Sequence, residues 1–311
     1  MPGIAVVTNP RSRQNRRNPA IAGQLAYMLG DRGEVAQPNS REELVETARR
    51  FRDRGVDILA INGGDGTAHV VLSAFAAAWG TDPLPQVALL RGGTMNTVAH
   101  SLGIRGKPAE LLGALVARYH SGEPLPSVER NLLCVEGEKP HFGFLFGNGL
   151  ISNYLELYYE GSEPSPAQAA WLLARGILST AVGGDFGRRL MRPVEVEVEA
   201  GDRKWSLRPY LSVAAGTVDQ IGLGFSPFYE APRHPGHLHM LGIGCSPLDF
   251  VKNLPRVWLS KPIDAPNVYA AVTTEFRLRA DQPIDYMVDG DFHRGDKELF
   301  VRVGPRLRLL V

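Results

Sequence analysis

Two short runs in this chain combine residue types that handle phosphate. The first is Asn62-Gly63-Gly64-Asp65-Gly66-Thr67 and the second Arg91-Gly92-Gly93-Thr94, and each stands between an apolar run and a stretch of helical spacing. A single glycine loop of this kind reads most simply as a tight turn that needs positive φ. Two of them, at the carboxyl ends of what should be neighbouring parallel strands, read differently, because open α/β sheets place ligands in that crevice. Gly63, Gly64 and Gly66 would let phosphate oxygens reach backbone N–H groups, and Gly92 and Gly93 with Thr94 could do the same. Asp65 would repel phosphate unless it holds a metal ion or takes up a proton, so it points to chemistry rather than to a turn. No glycine loop ending in Gly-Lys-Ser/Thr, no complete GxGxxG, no GxSxG elbow and no HExxH occurs, which disfavours the common nucleotide-binding and hydrolase families.

The elements that would position these residues alternate apolar runs with helical patterns, the grammar of βαβ units and a parallel sheet. Gly3 to Thr8 reads as the first strand, and Asn18-Pro19 as the start of a helix reaching about Gly30. Ser40 and Glu43 form a capping box that opens a helix ending at Gly55. Val56 to Ile61 and Val87 to Leu90 are the strands leading into the two glycine loops, and a further helix spans roughly Pro108 to His120. From Ser121 a linker follows, and then short alternating runs such as Val194, Val196, Val198 against Glu195, Glu197, and Phe276, Leu278, Ala280. One helical island, Ala167 to about Val182, carries Trp171, Leu172, Leu173, Ile177 and Leu178, and is expected to pack against something or to form a lipid-facing wall. The predicted fold class is α/β + all-β. A Rossmann-like three-layer α/β domain over residues 1–123 precedes an antiparallel, β-sandwich-like domain over 124–311, whose last fifteen or so residues can pack back onto the first.

A length of 311 residues suits two domains, and 44% hydrophobic with 22% charged residues is an ordinary globular balance. A net charge of +1 gives no bulk attraction to nucleic acid, so no nucleic-acid partner is expected. Cys134 and Cys245 are the only cysteines, no CxxC occurs and MPGIAVVTNP is not a secretory leader, so a cytoplasmic location is expected. No apolar stretch approaches the roughly 20 residues of a membrane span, so any membrane contact is expected to be peripheral, at the inner surface. Arg11, Arg13, Arg16 and Arg17 have no acid among them. They form either a solvated loop or a grip on phosphate or anionic lipid, where each cation contributes about 1 kcal/mol. His237 and His239 alternate, with His234 three residues before them, but with two or three imidazoles and no nearby cysteine a structural or surface role is expected rather than zinc.

Four ordered motifs carry a resemblance: Asn9-Pro10-Arg11-Ser12, Gly63-Gly64-Asp65-Gly66-Thr67, Gly93-Thr94-Met95-Asn96 and Val288-Asp289-Gly290-Asp291. Together they are similar to the diacylglycerol kinase catalytic-domain family, including the small bacterial diacylglycerol and sphingosine-type lipid kinases, over nearly the whole chain. The resemblance implies ATP, with Mg²⁺, lying across Asn9, Gly63, Gly64, Asp65, Gly66, Thr67, Gly93, Thr94 and Asn96. It also implies transfer of the γ-phosphate to a hydroxyl of diacylglycerol or a related lipid in an interdomain cleft. Asp291 would be the base, standing where the family has glutamate, with Asp65 catalytic beside the Mg²⁺. Asp289-Gly290 reads equally well as a hairpin turn. Arg91 occupies a position where the family usually has proline, and Asn148-Gly149-Leu150-Ile151 replaces Gly-Phe-Asp-like residues. The Asp-Asp-Gly-Leu stretch that holds a structural Mg²⁺ in relatives is matched by His234 to His239, so no structural metal is expected. The expected partners are a lipid substrate, a membrane surface met peripherally and, as an option, a second copy of the chain. The alternatives are an NAD kinase, which shares Gly-Gly-Asp-Gly-Thr, although the Asn-Leu-Gly-x-Leu-Gly-Phe run is missing here, and an inactive nucleotide-binding regulator.

Overall fold

The computed structural model describes residues 3–160 and 165–311, and the chain divides into two compact units. The first takes the chain as far as Arg130 and regains Pro305–Val311; the second is Asn131–Gly304.

In the first unit a parallel sheet runs in the order Glu34–Ala36, Ile4–Thr8, Ile58–Asn62, Gln86–Leu89 and the end of the strand Glu298–Leu310. The three central strands are apolar almost throughout because both faces are covered. Ile4, Val6, Ile58, Ala60 and Ala88 meet Leu25, Leu29, Leu112 and Leu115 from the helices Ile21–Leu29 and Pro108–Ser121. Side chains alternate along a strand, so Ala5, Val7, Leu59, Ile61 and Val87 turn the other way. A second helix pair, Arg41–Arg54 and Asp65–Trp79, packs through Phe51 and Phe75, whose ring centroids are 6.0 Å apart. Half of the expected capping box is formed: the Ser40 hydroxyl accepts from Glu43 N at 3.1 Å, while Glu43 Oε2 reaches one residue further back and accepts from Asn39 N at 2.7 Å, and Gly55 closes the helix at φ 69°. The helix expected from Asn18 instead begins at Ile21. Asn18 closes a separate short helix, Arg13–Arg17, its N–H bonding back to the carbonyls of Gln14 and Asn15.

The second unit is built from antiparallel strands in two layers. One layer pairs Val194–Ala200 with Arg203–Tyr210 and with Glu275–Arg279, which pairs in turn with the start of Glu298–Leu310. The other follows the order Val268–Thr273, Leu238–Ile243, Ser212–Gly216, Leu145–Gly147, Asp285–Val288, Asp291–Arg294. Their inner faces share one core that includes Val196, Val198, Phe276, Leu278, Phe146, Val213, Met240 and Val288. Four helices attend these strands, Leu150–Tyr159, Pro166–Ala181, Asp185–Leu190 and Pro247–Trp258, where the sequence pattern pointed to one island. Helix Pro247–Trp258 is masked in the sequence by two prolines and by an apolar stripe short enough to pass for a strand. At Asn148-Gly149, Gly149 has φ 57° and a Cβ there would lie 2.3 Å from Leu211 O, while Asn148 Oδ1 accepts from Val213 N at 2.7 Å. That junction is a backbone-shaping device of the sheet.

Candidate functional site

In the first unit the strands Ile4–Thr8, Ile58–Asn62 and Gln86–Leu89 deliver three loops to the same edge of the sheet, and side-chain amides knit them together. Asn9 N donates to Asn62 O at 3.1 Å, and Asn9 Nδ2 donates to Thr67 Oγ1 at 2.9 Å. Asn15 Nδ2 donates to Asn9 O at 2.7 Å and to Asn62 O at 3.2 Å. Asn62, wholly buried, donates through Nδ2 to Thr8 Oγ1 at 2.6 Å and to Asn15 Oδ1 at 3.2 Å. Gln14 N reaches the third loop at Gly92 O, 3.3 Å away. Asn15 and Asn62 were not singled out from sequence. Their signal, an asparagine ending a buried strand and another just past the Asn-Pro turn, is legible only once the strands are known to be neighbours.

The glycines allow the loops to touch, and none of Gly63, Gly64, Gly66, Gly92 and Gly93 has positive φ. A Cβ on Gly93 would lie 2.1 Å from Gly64 Cα, and one on Gly92 would lie 2.4 Å from Asn62 Oδ1. A Cβ on Gly63 would strike the Thr67 side chain at 2.3 Å. The sequence reading gave these absences to an approaching phosphate. At Gly64 and Gly93 the space is filled by the opposite loop.

Asp65 makes the second bridge. Its carboxylate accepts from Thr97 N at 2.9 Å and from Val98 N at 3.1 Å. It thereby caps the helix Thr97–Ser101, whose own N-cap residue Asn96 makes no side-chain cap. Asn96 lies in the left-handed region at φ 50° and folds its amide onto Gly93, accepting from Gly93 N and donating to Gly93 O, each at 3.1 Å. Burial pushes the Asp65 pKa above its ordinary value, and the two backbone N–H groups pull it back in part. Thr94 sits half-buried in the same loop. Arg91, at φ 58°, donates through Nη2 to His100 Nε2 at 3.1 Å. Burial, and next the Arg91 charge, hold the His100 pKa below the ordinary imidazole value.

Helix Asp65–Trp79 opens without a side-chain cap, because its N-cap residue is Gly64. Its first-turn N–H groups have no intrahelical partners and point out of the loop, beside the partial positive charge of the helix end. Unpartnered N–H groups at a helix start are of the kind that bind phosphate. Nine of the proposed contact residues, Asn9, Gly63, Gly64, Asp65, Gly66, Thr67, Gly93, Thr94 and Asn96, are thus brought together in one unit.

Asp291 belongs to the second unit. It opens the strand Asp291–Arg294 opposite Val288, and Asp289-Gly290 is the intervening two-residue turn, with φ 49° and 93°. Positive φ at both positions is what a type I′ hairpin requires. Asp289 does more than turn the chain. It is buried, and its Oδ1 accepts from Phe144 N at 3.1 Å and Leu145 N at 2.9 Å. This anchoring fixes where the half-exposed Asp291 is presented. Asp289 was missed as a structural carboxylate because its turn propensity already accounted for the residue type. Of the three histidines, His239 is buried and accepts through Nδ1 from Glu230 N at 3.4 Å, His234 lies 3.4 Å from Glu230, and His237 contacts Pro235 O.

Residues 3–122 match the model of the diacylglycerol kinase catalytic domain. The whole fold is similar to a diacylglycerol kinase from Bacillus anthracis str. Sterne, with 13% identity, coverage of 99% of this chain and 96% of that one, and a TM-score of 0.65. It is also similar to yeast NADH kinase solved with NADH, at 10% identity, 100% and 83% coverage and TM-score 0.54. An NAD kinase from Archaeoglobus fulgidus solved with ATP matches at 11% identity, 99% and 93% coverage and TM-score 0.50. No curated protein matches the chain by sequence. Family and fold are those of a kinase-type phosphotransferase. Among the described residues no helix is long and apolar enough to cross a membrane.

Proposed function

We propose that this chain is an ATP-dependent lipid kinase that phosphorylates a hydroxyl of diacylglycerol or a related lipid, working peripherally at a cytoplasmic membrane surface. The observation that carries the reading is the uncapped start of helix Asp65–Trp79, set in a glycine loop that a second glycine loop locks in place. Backbone N–H groups there bind and orient the phosphates of ATP, and the ATP complex of the archaeal NAD kinase, a protein of the same fold, supports that choice of nucleotide. Mg²⁺ bound with the nucleotide supplies neutralisation of the charge that builds on the transferred group. Asp65 holds the two loops in register through Thr97 and Val98, which makes it a positioning residue. Asp291 takes the proton from the lipid hydroxyl, one methylene shorter than the family's glutamate, from a turn that Asp289 anchors.

The test is purified protein with labelled ATP, Mg²⁺ and a panel of diacylglycerol, monoacylglycerol, ceramide, sphingoid base, phosphatidylglycerol and NAD. Label in one of the lipids is expected. Label in NAD alone would replace the lipid reading with the NAD kinase one, and label in none would leave a nucleotide-binding regulator.

A further inference from the structure

Helix Pro166–Ala181 is turned the wrong way round for a helix that serves only its own domain. Its buried positions include Ala169, Gly176 and Thr180 as well as Leu172, and the fit there is tight: a Cβ on Gly176 would lie 2.5 Å from Leu190 Cδ2. Leu173 and Ile177 are half-buried, and three large apolar side chains face out, Trp171 58% exposed, Leu178 69% and the following Val182 82%. At positions i, i+7 and i+11 these three form one stripe, which scattered surface leucines do not. The neighbouring helix Pro247–Trp258 ends likewise in exposed Trp258 and Leu259.

The charge on this helix is of one sign. Helix Pro166–Ala181 contains no Asp or Glu, and its one cation, Arg175, lies over the rings of Trp171 at 5.3 Å and Phe186 at 4.1 Å. Lys261 follows Trp258 and Leu259 and is exposed. Tryptophan beside arginine or lysine, over an aliphatic stripe, suits the boundary between acyl chains and anionic headgroups. A second copy of the chain suits it less: two such helices packed face to face would bring together two arginines and no acid from either helix.

We propose that Trp171, Leu178 and Val182, with Trp258 and Leu259, form a docking face for an anionic lipid bilayer, and that Arg175 and Lys261 meet its headgroups. This rests on the lipid-kinase reading only for its purpose, since docking requires neither nucleotide nor turnover.

The experiment is co-sedimentation of the full chain with vesicles of phosphatidylcholine alone and of phosphatidylcholine with phosphatidylglycerol. Binding to the anionic vesicles with a blue shift of tryptophan emission is expected. Trp171→Ser combined with Leu178→Ser should weaken it at least about tenfold, since the removed side chains are the ones transferred into lipid. Arg175→Gln should weaken binding to the anionic vesicles and leave the neutral ones unaffected. These residues are exposed, so the thermal midpoint should stay at the parental value, and turnover of a short-chain, water-dispersed diacylglycerol should persist. Absence of wild-type binding overturns the proposal, as does parental binding by the double variant. A chain that is dimeric in sedimentation without vesicles, and that the double variant renders monomeric, also overturns it in favour of a second copy. Vesicle binding without phosphorylation of any lipid would sink the kinase reading and leave the docking face standing.

Discussion

Gly93→Ala tests whether the glycine loops are shaped by each other. The added carbon would fall 2.1 Å from Gly64 Cα, 2.7 Å from Gly64 N and 3.0 Å from Asn96 Oδ1. Carbon atoms rest at about 3.5–4.0 Å, so the two loops would have to part by about 1.5 Å. Both sides of that contact are backbone, which cannot swing away as a side chain does. Overpacking of this kind costs about 1–3 kcal/mol, and for a chain of this size the midpoint should drop by about 2–5 °C. Parting the loops also moves the N–H groups proposed to bind phosphate, and a misplacement near 1 Å costs about 10²-fold in rate. Gly64→Ala should be milder, because its nearest contact is 3.1 Å. Gly23→Ala meets nothing within 4 Å on a helix and should stabilise by about 0.5–1 kcal/mol. Calorimetric melting and kcat/KM with labelled ATP would read the series. A Gly93→Ala protein with parental midpoint and turnover would refute the loop-on-loop account, as would Gly64→Ala proving the harsher change.

Asp65→Asn can accept from only one of Thr97 N and Val98 N and must turn an NH₂ toward the other, so a loss of about 1–3 kcal/mol is expected together with lower kcat; unchanged stability and turnover would remove Asp65 from the scaffold. Asp291→Asn should lower kcat about 10²-fold or more with ATP affinity little changed, while Asp291→Glu keeps activity; parental specific activity in both variants would reduce Asp291 to a hairpin residue. Burial holds the His239 pKa below its ordinary 6.5, so the unfolded chain binds that proton more tightly. Stability must then fall as pH drops through 6.5 and level off below the folded pKa. His239→Gln should flatten that fall in melts between about pH 7.5 and 5.5, and identical slopes would count against it.

The parts of this molecule written locally were readable from sequence. Ser40 with Glu43, Gly55 past a helix end, and the strand–glycine–helix order at Ile58–Asn62 and Gln86–Leu89 each depend on neighbours within a few residues. What could not be read depends on who stands opposite. Asp65 caps a helix thirty-odd residues away, Asp289 receives N–H groups from Phe144 and Leu145, and Gly64 is small because Gly93 faces it. The sequence allowed the chain end to pack back onto the first domain, but not that Leu309 and Leu310 pair in parallel with Val87 and Ala88. In each case the residue had an adequate local explanation, so nothing in the pattern asked for a distant one.

The anchored side chains have a consequence for how this protein ages. Asn62-Gly63, Asp65-Gly66, Asn148-Gly149 and Asp289-Gly290 are the sequence pairs at which a side-chain carbonyl is most open to attack by the next backbone nitrogen, closing a succinimide that reopens as isoaspartate. In the folded chain all four side chains are tied down: Asn62 to Thr8, Asp65 to Thr97, Asn148 to Val213 and Asp289 to Phe144. Ring closure there requires the local structure to open first. Isoaspartate found at these bonds by peptide mapping of stored protein would therefore record the time each loop has spent unfolded, a clock that runs separately at each of the four positions.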